Sequence, residues 1–216
     1  MIVDDNLTKY LHSLEPEGKP FFEDLRQFAE TTGVPIIRRE MESFLRLLLH
    51  LCKPKRLLEI GTGIGYSTLF FADNSESLKE IVTMENYEPR LMEARKNIAD
   101  YTNEKVIQIN LMEGDAAESI KTLSGTYDLI FLDGPKAQYI HMLPTLLDLM
   151  PVGGLLIADN VLQEGDIIDS RYITPRRQRT IHERMRDFLW EVKHNDNLET
   201  TVLTVGDGVT VSRKIW

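Results

Sequence analysis

Two segments of the sequence place acidic side chains directly after a run of apolar residues. The first, FLDGPKAQY, ends its apolar run at Asp133 and then carries Lys136 and Tyr139 at intervals of three. The second, LLIADN, runs into Asp159 and Asn160 in the same way. Two buried strands would thus deliver oxygen ligands to one edge of a sheet, a set that suits Mg²⁺. The alternative is that these residues form ordinary turns, where aspartate and asparagine are common.

A third segment, LEIGTGIGYST, carries Gly61, Gly63 and Gly65 after another apolar run. Glycines let the backbone turn tightly and approach a ligand, and the helix that follows offers free N–H groups to a negative group. A dinucleotide-binding motif needs its third glycine one residue later, where Tyr66 stands, and the Gly-Lys-Ser/Thr of a P-loop is absent. The pattern favours S-adenosylmethionine over NAD, with an ordinary strand-to-helix turn as the alternative.

Acidic residues occupy the ends of three successive predicted strands. Glu59 belongs to the glycine-rich segment, Glu85 ends the second strand, and Asp115 follows the third. An acid at the end of the second strand can accept both hydroxyls of a ribose, whichever nucleotide cofactor is bound. Asp115 is placed to reach an adenine amino group.

These residues need a sheet that brings strand ends together, and the order of apolar and amphipathic stretches predicts one. Nearly continuous apolar runs, typical of strands covered on both faces, lie at 56–60, 80–85, 106–111, 127–133 and 154–159. Amphipathic helices lie between them, so we expect a doubly wound, mostly parallel α/β sheet. Two more strands around Gly206-Asp207-Gly208 form a hairpin at an antiparallel edge, which makes seven strands.

Length and composition predict a single domain over residues 1–216. Residues 1–53 show helical periodicity broken by prolines and form a helical cap, and residues 54–216 form the Rossmann-like core. The only cysteine, Cys52, excludes an intrachain disulfide and is expected to be inert. The sequence shows neither a basic-then-apolar leader nor an apolar run of the roughly 18 residues that a membrane span needs. We therefore expect a cytoplasmic protein with no membrane partner.

The charge of the chain is unevenly distributed. The net charge is −9, which argues against general affinity for nucleic acids, yet residues 171–186 contain six arginines and one glutamate. This segment carries +5 and leaves −14 elsewhere. Thr174 fits a helix N-cap and Pro175 a first helical position. In the predicted helix Ile181, Met185, Phe188, Leu189 and Val192 share one face, Arg176, Arg179 and Arg186 point away from it, and Arg177 and Arg184 flank it.

Taken together, LEIGTGIGYST, DGPKAQY and ADNVL resemble the cation-dependent class I O-methyltransferases, which include catechol and caffeoyl-CoA methyltransferases. VPIIRREMESFLRLLL also resembles the family, although the glycine often found there is replaced at Glu42 or nearby. The resemblance implies a metal site formed by Asp133, Asp159 and Asn160, with Lys136 and Asp133 as catalytic residues. It implies cofactor contacts from Ile37, Glu59, Gly61, Gly63, Gly65, Ser67, Glu85, Gly114, Asp115, Ala116 and Asp133.

The implied reaction moves a methyl group from a sulfonium to an oxygen, which requires an in-line approach and a deprotonated nucleophile. A divalent cation lowers the pKa of the acceptor hydroxyl, and Lys136 takes its proton or stabilises the anion. Without such a setting, Lys136 would be an ordinary surface amine.

The arginine-rich TPRRQR and the later VGDGVTVSRK resemble most closely the bacterial branch that methylates 5-hydroxyuridine in tRNA. This implies a homodimer and a tRNA partner bound at its anticodon region. The expected tRNA contacts are Arg171, Arg176, Arg177, Arg179 and Tyr139. If the arginines are instead a solvated helix face, the acceptor is a small catechol-like or phenylpropanoid molecule. A non-catalytic regulator that binds S-adenosylmethionine is a third hypothesis, which leaves the metal ligands and Lys136 without a use.

Overall fold

The computed structural model describes residues 3–102, 106–170 and 172–216. Its strands are β1 (Arg56–Ile60), β2 (Glu80–Glu85), β3 (Gln108–Glu113), β4 (Leu129–Leu132), β5 (Leu155–Ala158), β6 (Leu198–Leu203) and β7 (Val209–Lys214). They form one seven-stranded sheet in the order β3-β2-β1-β4-β5-β7-β6. The first five strands are parallel, and β7 lies antiparallel between β5 and β6. The predicted fold class is confirmed, including the antiparallel edge.

The helices are α1 (Asp5–Ser13), α2 (Pro20–Thr32), α3 (Arg39–Cys52), α4 (Tyr66–Asn74), α5 (Glu88–Asp100), α6 (Ala116–Ser119), α7 (Tyr139–Asp148) and α8 (Arg179–His194). Pro20 is the first residue of α2, where a missing N–H costs nothing. Within the described ranges, no helix combines the length and apolarity needed to cross a membrane.

The sheet is buried on both faces because successive residues of its central strands point to opposite sides. Leu58 of β1 packs in one hydrophobic cluster with residues of α7 and α8. Its neighbour Leu57 packs in the other cluster, with residues of α2, α3 and α4. Both residues are completely buried. The continuous apolar runs of the sequence therefore reflect burial on both sides.

Strand boundaries differ from the sequence-based prediction, most clearly at the third strand. It covers Gln108–Glu113 rather than 106–111, because its pairing with β2 begins with Gln108 opposite Glu80. Val106 lies outside the sheet and is 95% exposed. The carboxyl end of β3 is thus two residues closer to Asp115 than expected.

The start of α8 was also predicted wrongly. The helix begins at Arg179, and Thr174 is a buried residue of the preceding turn whose hydroxyl donates to the Ser170 carbonyl. Pro175 is equally suited to a turn, which is where the structure places it. As a result Ile181 is exposed at the first turn of α8, while the expected apolar positions Met185, Phe188 and Val192 are buried.

Cys52 ends α3 and is half-buried. Burial raises the pKa of its thiol to about 11, so the group stays protonated near neutral pH. Because the thiolate is the reactive form, this agrees with the expectation that Cys52 is inert.

Candidate active site

A cavity of about 480 Å³ opens at the carboxyl ends of β1, β2, β4 and β5. Segment 35–38 and the turn around Gly206 complete its wall. This is the edge at which open parallel sheets bind ligands. We call the part of the site formed by residues 61–65 with Glu59 and Glu85 the glycine-loop side, whether a residue lines the cavity or lies behind its wall. We call the wall formed by Asp133, Asp159 and Asn160 the acidic side.

The glycine-rich loop requires glycine for two different physical reasons. Gly61 has φ 104°, and a Cβ at this position would overlap the carbonyl oxygen of Asp133. Gly65 has φ 86° and caps the N-terminus of α4 in a left-handed conformation. An L side chain would be strained at either position. Gly61, Gly63 and Ser67 line the cavity, whereas Gly65 shapes the loop from behind.

Glu59 lies beneath the loop and is completely buried, so it is not on the wall of the cavity. Its carboxylate accepts hydrogen bonds from the hydroxyls of Ser67 (2.5 Å), Thr83 (2.6 Å) and Thr68. Burial nevertheless raises the pKa of Glu59, with the three hydroxyls opposing the shift. Glu59 therefore supports the site by holding the start of α4 against β2. The prediction that it contacts the cofactor is wrong, because the side chain is not accessible from the cavity.

Glu85 lies on the cavity wall and is buried. One carboxylate oxygen accepts from the backbone N–H of Gly63 at 3.0 Å. The other accepts from the backbone N–H groups of Asn86 (2.9 Å) and Tyr87 (3.0 Å). Glu85 therefore ties the glycine-rich loop to the end of β2. The predicted contact with ribose hydroxyls stays a prediction.

Gly114, Asp115 and Ala116 also line the cavity. The Asp115 side chain caps α6 by accepting from the Glu118 N–H at 3.2 Å, and the residue is exposed. Among the described residues, no hydrogen bond reaches its second carboxylate oxygen. Ile37 reaches the same cavity from segment 35–38. The structure thus brings the predicted cofactor residues to one cavity, apart from Glu59 and Gly65, which support it.

The acidic side differs in its hydrogen bonding. Asp159 is 4% exposed, and the side-chain bond found for it comes from the backbone N–H of Asn160 at 2.7 Å. Within the described residues, no side-chain hydrogen bond reaches Asp133. Asn160 has a left-handed backbone, φ 54°, as asparagine tolerates in sharp turns. All three residues and Lys136 line the cavity.

Both aspartates are costly to ionise in this environment. Burial raises the pKa of Asp133 well above its usual range, the neighbouring Asp159 raises it further, and Lys136 opposes the shift. Burial likewise raises the pKa of Asp159, with Lys136 among the groups opposing it. Two adjacent carboxylates with few donors favour a bound cation.

The prediction that Tyr139 contacts RNA is wrong, because the side chain is completely buried. Its hydroxyl accepts from the Gly134 N–H at 3.1 Å, and its ring packs edge-on against Phe188 of α8, with centroids 5.5 Å apart. Arg184 of the same helix donates to the Ala137 carbonyl at 3.1 Å. Helix α8 therefore braces the turn that carries Asp133 and Lys136.

The predicted RNA-binding arginines lie in different settings. Arg171 lies outside the described residues. Arg176 and Arg177 are exposed, and no ion pair involves them in the described part of the chain. Arg179 is half-buried and donates to the Thr174 carbonyl at 3.1 Å. None of the three lines the main cavity.

Sequence reasoning missed several residues of the cavity wall. These are Arg38, Tyr66, Asn86, Tyr87, Arg90 and Asp207. In the sequence, Tyr66 is notable only because it stands where a dinucleotide-binding motif needs its third glycine. Asn86, Tyr87 and Arg90 come after β2, Asp207 lies in the hairpin turn, and Arg38 immediately precedes α3. Their positions in the chain are the only signal that the sequence offers.

Comparisons with known proteins show the family to which the chain belongs. The sequence profile of the O-methyltransferase family matches residues 12–215. The chain belongs to the O-methyltransferase family. Among relatives of this O-methyltransferase, caffeoyl-CoA O-methyltransferase 5 from Nicotiana tabacum is 33% identical and spans 80% of this chain and 74% of the relative. A catechol O-methyltransferase from Niastella koreensis is 34% identical over 62% of each chain.

Two solved structures resemble this O-methyltransferase over nearly its full length. A candidate caffeoyl-CoA O-methyltransferase from Staphylococcus aureus has a TM-score of 0.88 and 33% identity, covering 97% of this chain and 100% of that one. A Podospora anserina methyltransferase bound to S-adenosylhomocysteine has a TM-score of 0.85 and 27% identity, covering 97% and 94%. The protein is an S-adenosylmethionine-dependent O-methyltransferase.

Proposed function

We propose that this O-methyltransferase uses a divalent cation and methylates small aromatic molecules with two adjacent oxygens, such as catechols. The observation that carries this proposal is the position of Asp133, Asp159 and Asn160 on the wall of the cofactor cavity, next to Lys136. The names of the relatives add support, since both catechol and the caffeoyl group carry adjacent hydroxyls on one ring. The acceptor favoured by the comparisons is thus the small molecule rather than tRNA.

The residues of the acidic side fit a hard cation such as Mg²⁺. They offer two carboxylates and one amide oxygen, and the carboxylates have few hydrogen-bond donors of their own. The described residues contain no cluster of three or more histidine, cysteine, aspartate or glutamate side chains that could hold a metal. A site with only two acids must complete its ligands with the amide, water and acceptor oxygens, as Mg²⁺ sites commonly do. When bound, the cation lowers the pKa of the acceptor hydroxyl and fixes its direction.

Lys136 supplies the second requirement, control of the acceptor proton. It lies on the first turn after Pro135, half-buried on the cavity wall, close enough to both aspartates to lower their pKa values. A neutral Lys136 accepts the proton of the hydroxyl, and a charged one stabilises the resulting anion. The glycine-loop side holds the methyl donor, with the start of α4 and its N–H groups facing a carboxylate.

The test is a methylation assay with labelled S-adenosylmethionine on catechol, caffeate and caffeoyl-CoA, with Mg²⁺ and with excess EDTA. We expect methylation of at least one of these acceptors that EDTA abolishes. Transfer to phenols with a single hydroxyl should be much weaker, because they cannot offer two oxygens to one cation. Equal transfer to phenol and catechol, or full activity in EDTA, would contradict the proposal.

A second candidate acceptor is 5-hydroxyuridine in tRNA, whose ring hydroxyl and neighbouring carbonyl also offer adjacent oxygens. The observation that favours it is the exposure of Arg176 and Arg177 without an ion pair in the described residues, within a segment of +5 on an acidic protein. Mass spectrometry of nucleosides, after incubation with hydroxylated and unhydroxylated tRNA, tests this directly. Replacing Arg176, Arg177 and Arg179 by Ala should then weaken tRNA binding and reduce its salt dependence, by roughly one unit of slope per lost contact at most.

A further inference from the structure

Three side chains from different helices meet behind the glycine-loop side of the cavity. Arg26 of α2 forms a close ion pair with Glu42 of α3. The hydroxyl of Tyr66, the first residue of α4, donates to the same Glu42 oxygen at 2.5 Å. Arg26 also donates to the Tyr66 hydroxyl at 2.9 Å, and its guanidinium lies 5.1 Å from the ring centroid. We call Arg26, Glu42 and Tyr66 the buried triad.

The buried triad is connected to the cavity at two points. Tyr66 lines the cavity itself, directly after the glycine-rich loop. Arg26 donates to the carbonyl of Ile37 at 3.4 Å, a long hydrogen bond to segment 35–38, which forms another part of the cavity wall. Residues 34–38 have no regular secondary structure, so the position of this wall depends on how α2, α3 and α4 are held together.

Burying the buried triad costs desolvation free energy, because two of its three side chains are charged. The side chains of Arg26 and Glu42 are 12% and 11% exposed. The Nε of Arg26 is buried without a hydrogen-bond partner in the described structure. Apolar side chains of similar size often stabilise such a position as well as a buried ion pair, or better. An arrangement that leaves a donor unsatisfied therefore suggests that the geometry it imposes is useful.

We propose that Arg26, Glu42 and Tyr66 are positioning residues that set the affinity for S-adenosylmethionine by holding segment 35–38 against the glycine-rich loop. The helical cap formed by residues 1–53 is then part of the cofactor site. Glu42, which stands at or near the position where the family resemblance leads one to expect glycine, supplies the carboxylate on which the other two side chains converge. The triad touches neither the acidic side nor Lys136, so it acts on cofactor binding and leaves the transfer step alone.

The test replaces the buried triad by apolar residues, with Arg26→Met, Glu42→Leu and Tyr66→Phe combined. Calorimetry with S-adenosylhomocysteine should show a Kd raised about tenfold. This is the lower end of the roughly 10- to 100-fold effect of residues that orient the groups in direct contact with a ligand. The thermal unfolding midpoint should not fall, because the costly buried charges are gone. At saturating S-adenosylmethionine kcat should stay within about twofold, so that the change appears in KM for the cofactor. Binding of S-adenosylhomocysteine needs neither acceptor nor cation, so this result is independent of the proposed acceptor.

The matched control is Glu23→Gln, which breaks the ion pair between Glu23 of α2 and Arg39 of α3 at 2.7 Å. This pair joins the same two helices but lies away from the main cavity, so the Kd should not change. A folded triple variant with unchanged Kd overturns the proposal, as does an equal rise in the control. If the triple variant does not fold, Tyr66→Phe decides. This variant keeps the aromatic ring and the ion pair between Arg26 and Glu42. If its Kd for S-adenosylhomocysteine is not raised, the proposal is overturned.

Discussion

On the glycine-loop side of the cavity, Glu59 and Glu85 have hydrogen-bond donors for both carboxylate oxygens. On the acidic side, Asp159 receives one bond from its neighbour's backbone, and Asp133 receives none to its side chain in the described structure. Buried acids normally accept hydrogen bonds from the protein, so we interpret Glu59 and Glu85 as residues that stabilise the structure around the cavity. Asp133 and Asp159 are left open for something outside the chain. Under the proposed function, the number of donors around an acid separates the supporting residues from those that hold the cation.

The largest expected effect comes from removing one charge on the acidic side. Asp159→Asn keeps the shape of the side chain but replaces a carboxylate that we propose to bind the cation by a neutral amide. Methylation should therefore fall by more than the 10- to 100-fold typical of supporting residues. The Kd for S-adenosylhomocysteine should change less than about threefold, since the glycine-loop side is intact. Asp148→Asn, an exposed site on α7, serves as the control. If Asp159→Asn lost activity and cofactor affinity to a similar degree, the acidic side and the glycine-loop side would not have separate roles.

The corresponding change on the glycine-loop side is Glu85→Gln. One end of the new amide must face a backbone N–H, Gly63 on one side or Asn86 and Tyr87 on the other, so a donor meets a donor. We expect a Kd for S-adenosylhomocysteine raised about tenfold, equivalent to about 1.4 kcal/mol. Activity at saturating cofactor should fall much less. Calorimetry and initial rates on the same preparation check both statements.

A smaller effect is expected from α8, which braces the acidic side through backbone contacts. Arg184→Met removes the donor to the Ala137 carbonyl and should lower kcat about three- to tenfold. This corresponds to about 0.7 to 1.4 kcal/mol, the range of one ordinary hydrogen bond, because the lost bond acts on Lys136 only through the turn. Cofactor affinity should stay unchanged. Arg186 also lies on α8, and it donates a similar bond to the Asp169 carbonyl, away from the cavity. Arg186→Met should therefore leave kcat unchanged. Equal rates for both variants would show that the brace does not reach Lys136.

The smallest effect concerns stability. Burial raises the folded-state pKa of Glu59, so its favourable contribution is present below its unfolded pKa and is lost as pH rises through the folded pKa. Relative to Glu59→Gln, the wild-type free energy of unfolding should therefore decrease between pH 4 and pH 8. Urea unfolding of both proteins across this range measures the difference. A difference that increases with pH would mean that the three hydroxyls outweigh burial.

The sequence predicted those parts of the site that depend on strand order. Parallel strands align their carboxyl ends, so Asp133 and Asp159 meet because β4 and β5 are neighbours. It did not predict which face of a helix is covered by another element. For this reason the sequence indicates Tyr139 as an RNA contact, although Phe188 of α8, which lies 49 positions further along the chain, packs against it and helps to bury it.

Contacts between distant segments were equally inaccessible. Arg26, Glu42 and Tyr66 belong to three helices, and no local periodicity connects them. Pro175 illustrates a different limit, because proline suits both the start of a helix and a turn. Tertiary packing decided between the two and moved the helix start to Arg179.

The most direct test of the central claim is a calorimetric titration of Mg²⁺ or Mn²⁺ into the metal-free protein saturated with S-adenosylhomocysteine. If the acidic side is open for a cation, wild-type protein should bind one ion per chain. Asp159→Asn should bind it at least tenfold more weakly, since a neutral amide oxygen replaces an anionic carboxylate oxygen. Asp148→Asn should bind like wild type. No saturable binding by wild-type protein, or equal binding by Asp159→Asn, would contradict the account.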